Sequence, residues 1–148
     1  MDTRPDIFDR SLRARRRDRM LPGFAAHDFL HRAMLDELLE RLGDVQRDLP
    51  EALLIGCPDD SARAALEGMG KRVASVDPAF LAARKAGGVQ ADEDALPFAD
   101  ASFDLVLACG TLDSVNDLPG ALILMRRVLR PDGLMLAAFA GAGSLPRL

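Results

Sequence analysis

Aromatic side chains are nearly missing from this chain, which has no tryptophan, no tyrosine and seven phenylalanines. Aromatic packing around a bound ligand is correspondingly hard to build. Cysteine is as scarce: Cys57 and Cys109 each close an apolar run, and neither belongs to a CxxC. Two isolated thiols do not make a disulfide framework and fit small buried residues in a reduced, cytoplasmic compartment. No apolar run approaches the ~20 residues that a membrane-spanning helix needs. Surplus positive charge is lacking too, since a net charge of -4 speaks against general nucleic-acid binding. Histidine occurs twice, at His27 and His31. One helical turn apart on an N-terminal helix, they read as surface or cap residues rather than catalytic or metal-binding ones, so no metal site is expected.

What is present describes one globular unit. A chain of 148 residues, 49% apolar and 28% charged, with mean hydropathy of +0.03, is long enough for a real core. Charge is unevenly spread: residues 1 to 20 hold seven arginines against four acids, which leaves the remainder strongly acidic. Because Asp2, Asp6, Asp9 and Asp18 are interleaved with those arginines, the start does not read as an organelle transit peptide. It reads as a helix over 6–20, whose basic face is either simply solvated or meets an acidic partner. Pro22-Gly23 breaks it. A second helix is expected from about His27 to Leu42, with Phe29, Leu30, Ala33, Met34, Leu38 and Leu42 on its apolar face and Gly43 at its end.

Residues 1–48 thus form an N-terminal helical region, and from 49 to 148 the pattern changes. Short apolar runs at Leu53 to Gly56, Arg72 to Asp77, Val89 to Asp92, Phe103 to Cys109 and Gly133 to Phe139 alternate with helical segments at Ser61 to Gly68, Ala79 to Ala86 and Leu118 to Leu129. Continuous apolar strands alternating with helices predict a mostly parallel, doubly wound α/β sheet of Rossmann type. Only a Gly/Ala tail follows the fifth strand, so the sheet is expected to be truncated there.

In such sheets ligands bind beyond the carboxyl ends of the strands. Gly56 ends the first strand, where the lack of a Cβ permits a sharp turn and close approach. Asp77 ends the second, near the ~20-residue offset at which an acid meets ribose hydroxyls. Asp92 ends the third and could accept a bond from an adenine amino group. Each has an ordinary structural use as well: Asp77-Pro78 is a turn starter, and Asp92-Glu93-Asp94 could be a solvated loop.

Leu53 to Asp60, Val76-Asp77-Pro78, Ala91 to Phe98, Ser102 to Val106 and Val128 to Gly133 resemble the successive motifs of class I S-adenosylmethionine-dependent methyltransferases, type 11 domain. Within them, Ile7 to Arg19 and Val115 to Leu122 resemble the branch related to mitochondrial complex I assembly factor 5. The malonyl-carrier-protein methyltransferases of biotin synthesis are more distantly similar. The resemblance implies S-adenosylmethionine as cofactor, held by Gly56, Cys57, Asp77, Pro78, Asp92, Glu93 and Cys109, with the loop after Cys109 facing a methyl acceptor. No catalytic base is identified.

The departures bear on chemistry. The family opens its cofactor loop with an acid and continues Gly-Cys-Gly-x-Gly; here Leu54, Pro58 and Asp60 stand at the altered positions. Pro58 has no N–H and a fixed φ, and Asp59 and Asp60 suit a helix start but repel a ligand carboxylate. Asp113-Ser114 replaces the family's His-Trp pair, and most of the acceptor wall is expected to be lacking. Weak or absent catalysis is therefore expected. The alternative is a non-catalytic binding or assembly module that meets a protein partner, or its own copy, through the basic helix or an open sheet edge.

Overall fold

The computed structural model describes residues 5–144; Asp2 and Arg4 of the basic start lie outside the described residues. Five strands form one sheet: β1 (Glu51–Ile55), β2 (Arg72–Asp77), β3 (Val89–Gln90), β4 (Phe103–Cys109) and β5 (Leu129–Ala138). Every neighbouring pair is parallel, and the order is β3-β2-β1-β4-β5. The chain therefore builds outward from β1 in one direction and restarts beside it with β4. The β1/β4 junction is the switch point at which such sheets leave a crevice.

Alternation of side chains puts two cores on the two faces. Ala52, Leu54, Leu105 and Leu107 pack under α3 (Phe29–Gly43) and α4 (Ser61–Gly68) through Leu35, Leu38, Leu42 and Leu66. Leu53, Ile55, Val106 and Ala108 pack against α6 (Leu118–Val128) through Ala121, Met125 and Val128. Phe103 lies with the second group because the register shifts between Phe103 and Leu105. Among the described residues, no helix is long and apolar enough to cross a membrane.

Several expected bounds move. α1 covers Arg10–Met20, beginning at its cap Asp9, whose carboxylate accepts from the Leu12 amide. The second expected helix is two, a single turn α2 (Phe24–His27) and then α3, separated at Asp28. Its apolar face is rotated from the expected one: Leu35, Leu38 and Leu42 are buried, whereas Phe29 is 79% exposed and Leu30 is also exposed. Gly43 does not leave the helix in a left-handed turn; it is the last helical residue, and Asp44 caps in the right-handed region. α5 is Phe80–Lys85. β3 stops at Gln90, so Asp92 lies in the loop beyond the strand rather than at its end.

Candidate active site

The carboxyl ends of β1, β2 and β4 converge where the expected residues lie. Gly56 leaves β1 with φ +79°, donating its amide to Val76 O at 3.1 Å. A Cβ there would stand 2.1 Å from Thr111 Cγ2, so the space that Gly56 opens is filled by this chain's own threonine. Cys57, Pro58 and Pro78 are buried. Asp59 turns the loop into α4 by accepting from the Ser61 amide and hydroxyl, while the Asp60 side chain makes no cap bond. Pro58 thus sits inside a compact strand-to-helix turn whose own acid satisfies the helix start.

Asp77 and Glu93 are each only 1% exposed, and both are already occupied. Arg17 donates to Asp77 from Nε at 3.1 Å and from Nη2 at 2.6 Å, and reaches Gly56 O at 3.3 Å. The Ala79 amide adds a bond to Asp77 Oδ1 at 2.9 Å. Arg13 grips Glu93 through two bonds of 2.8 Å each, and also donates to Ser114 Oγ and Thr111 O. Arg10 holds Asp94 at 2.6 and 2.9 Å and lies 3.2 Å from Asp92. Bidentate fork pairs of this kind are the strong form of a charge-assisted bond.

These contacts shift the groups in the expected senses. Burial pushes the Arg13 guanidinium down, but the bond to Glu93 and the surrounding acids more than offset it, leaving it above its ordinary value. The bond from Arg10 holds Asp94 below the usual carboxylate range, against a smaller effect of burial.

The remaining space is unevenly divided. Beside Asp92, Glu93 and Asp94 only about 10 Å³ is open, roughly one water's worth, because Phe8, Arg10, Arg13 and Asn116 fill the rest. On the other side of Gly56, a cavity of about 530 Å³ lies between α1, α2 and α3, lined in part by Arg17, His31, Met34, Pro58 and Gly110. His31 belongs to that wall, not to the surface: its Nδ1 is 3.7 Å from Cys109 Sγ, and its ring meets Phe24 edge-on at 5.2 Å between centroids. The bond from the Cys57 thiol, opposed by burial and helped by His31, lowers Cys109 to about 6. The Cys57 thiol, donating to Cys109 and buried, is pushed well up. Both cysteines are free.

Of the expected residues, Gly56 lines the larger cavity and Asp92 and Glu93 the small one, while Cys57, Asp77, Pro78 and Cys109 are buried. The residues missed from sequence are the partners Arg10, Arg13 and Arg17. Their 3- and 4-residue spacing, which places three arginines on one helical face, is the signal that could have found them. The adenosyl group does not fit the crevice as folded. The ribose-side acid is bonded to a guanidinium, the base side is too small for a purine, and the loop beside it carries Pro58.

A family model for a methyltransferase domain matches residues 53–137. The chain is 33% identical to the zebrafish (Danio rerio) arginine-hydroxylase NDUFAF5, mitochondrial, over 97% of this chain and 48% of that relative. It is 34% identical to the malonyl-[acyl-carrier protein] O-methyltransferase of Pseudescherichia vulneris, over 88% of this chain and 54% of that one. The chain thus spans about half the length of these relatives. Among solved structures, a Methanococcus maripaludis protein assigned to the S-adenosyl-L-methionine-dependent methyltransferases superposes with a TM-score of 0.69 at 16% identity, covering 95% of this chain and 68% of the other. That likeness concerns fold alone. S-adenosylmethionine is the cofactor that the family implies. With its sheet order and matched motifs, the chain belongs to the class I methyltransferase family.

Proposed function

We propose that this chain is a methyltransferase-family module whose hold on S-adenosylmethionine is weak and which does not transfer methyl groups appreciably by itself. One observation carries the reading. The buried acids Asp77, at the end of β2, and Glu93, in the loop beyond β3, are bonded to arginines beside a turn closed by Pro58, so the ligand's ribose would compete with the guanidiniums for their oxygens. Methyl transfer depends mainly on aligning nucleophile, methyl and sulfur, so a loosely held cofactor removes most of the available acceleration. The two named relatives carry out different reactions, a hydroxylation and an O-methylation by their names, so family membership does not choose the chemistry. Calorimetric titration with S-adenosylmethionine and S-adenosylhomocysteine tests the reading. No saturable binding is expected below roughly millimolar ligand, and a micromolar constant overturns it.

A binding or assembly role is the second reading, and the position of β5 favours it. Among the described residues β5, ten residues long, pairs only with β4, and a row of backbone groups unpaired among them is a template for strand addition by a partner or a second copy. Arg15, Arg16 and Arg19 of α1 are exposed and make no ion pair among the described residues, leaving a basic face for an acidic partner. The free thiols Cys57 and Cys109 suit a reduced, cytoplasmic setting for either reading. A sizing column run over a wide concentration range checks self-pairing, and a monomer throughout counts against it.

A further inference from the structure

We infer that α1 is a displaceable latch: Arg13 and Arg17 act as an internal pseudo-ligand on Glu93 and Asp77, and a nucleoside can bind this crevice only when α1 swings away. The inference rests on the cofactor-crevice reading above and adds a competition between the helix and the ligand. Three lines of geometry support it.

The first is the match of positions. The guanidiniums of Arg17 and Arg13 present planar pairs of donors to the two most buried carboxylates at the crevice mouth. A ribose diol would present its two hydroxyl donors to the same oxygens. Asp77 Oδ1 already accepts from both Arg17 Nε and the Ala79 amide, so a sugar hydroxyl reaching that oxygen competes with the guanidinium for its lone pairs. The roughly 10 Å³ left beside Glu93 makes the same point sterically, because a purine needs the volume that Phe8, Arg10 and Arg13 fill.

The second is how α1 is attached. Its ties run to separate places on the crevice rim. The Asn116 side chain clasps Phe8, accepting from its amide at 2.7 Å and donating to its carbonyl at 3.0 Å. Asp18 accepts from the Leu81 and Ala82 amides at the start of α5, at 2.9 and 3.1 Å. None of these ties is made to the two large cores, and α1 contributes no buried residue to either. A helix that contributes no buried residue to either core can leave with the cores intact, provided that the ligand then satisfies the carboxylates of Asp77 and Glu93 that the arginines release.

The third is the division of space. With α1 docked, the cavity near His31 and Gly110 remains open while the side next to Glu93 is filled, so docking closes one half of the crevice selectively. The Ile7–Arg19 and Val115–Leu122 segments, unexplained by cofactor contacts alone, meet in this latch through Phe8 and Asn116.

The test compares S-adenosylhomocysteine binding by the full chain in a loop-repaired background, Pro58→Gly with Asp60→Gly, with and without weakening of the latch. Arg13→Gln with Arg17→Gln removes the pseudo-ligand directly. Because that pair strands two buried acids and can unfold the chain, Arg10→Ala with Asn116→Ala loosens α1 while leaving Asp77 and Glu93 paired. At least a tenfold gain in affinity over the loop-repaired parent is expected from either latch variant. Hydrogen exchange should show the α1 amides losing protection as ligand saturates the parent. Equal affinity with and without the latch substitutions, or ligand bound with α1 still protected, overturns the latch but leaves the crevice reading standing. No binding by any of these proteins overturns both.

Discussion

Arg17→Ala should be the most damaging single change on α1. Arg17 is 14% exposed at its side chain and Asp77 is 1% exposed, and two bonds of 3.1 and 2.6 Å join them. Without the guanidinium, Asp77 keeps only the bond from the Ala79 amide, and a buried carboxylate loses its counter-charge. Breaking a buried pair from one side costs about 3–5 kcal/mol, a large share of a domain's ~5–15 kcal/mol. With a urea slope of about 2 kcal/mol/M, the unfolding midpoint should fall by roughly 2 M. Removing both partners, as Arg17→Met with Asp77→Leu, should cost much less than Arg17→Ala, because no lone charge stays buried. Arg16→Ala, on the exposed face, should leave the midpoint where it is. Urea unfolding followed by far-ultraviolet circular dichroism measures all four proteins. An Arg17→Ala midpoint indistinguishable from that of Arg16→Ala would refute the buried pair.

Two further outcomes rest on local geometry. Gly56→Ala should destabilise the chain by more than about 2 kcal/mol, combining left-handed backbone strain with overpacking against Thr111 Cγ2 at 2.1 Å. Adding Thr111→Ala should recover the packing part and not the backbone part; full recovery in thermal melts would show that φ is not restrictive. Asp94 has a folded pKa below its ordinary value, so its pair with Arg10 stabilises the fold above the unfolded value of about 3.9. That stability is lost as pH falls through the unfolded and then the folded value. The Tm of the wild-type chain should therefore drop more between pH 5 and pH 2 than that of Asp94→Asn, and parallel curves would contradict the pairing.

Much of the fold was legible because its signals are local. Phe103 to Cys109, Arg72 to Asp77 and Ser61 to Gly68 appear with the bounds that their apolar runs and turn residues indicated. Phe29 and Leu30 misled because an apolar stripe marks a face without fixing what covers it, and here the helix turns Leu35, Leu38 and Leu42 inward. β3 was overrun because Ala91 and Asp92 continue an extended, apolar-to-acid pattern after the last paired residue, Gln90. Asp77 was legible at a strand end, and the structure places it as the last residue of β2, bonded to Arg17. The arginine partners were not legible, because an Arg-rich helical face looks the same in sequence whether it faces solvent or another element's carboxylates. Arg13 and Glu93 are 80 residues apart, and only tertiary packing brings them together.

A crystal of the unmodified chain grown with millimolar S-adenosylhomocysteine is the most direct test of the claim that α1 and a nucleoside exclude one another. The expected outcome is either an empty crevice with Arg17 on Asp77 and Arg13 on Glu93, or a bound ligand with α1 displaced. A ribose bonded to Asp77 beneath an undisturbed α1 would contradict it.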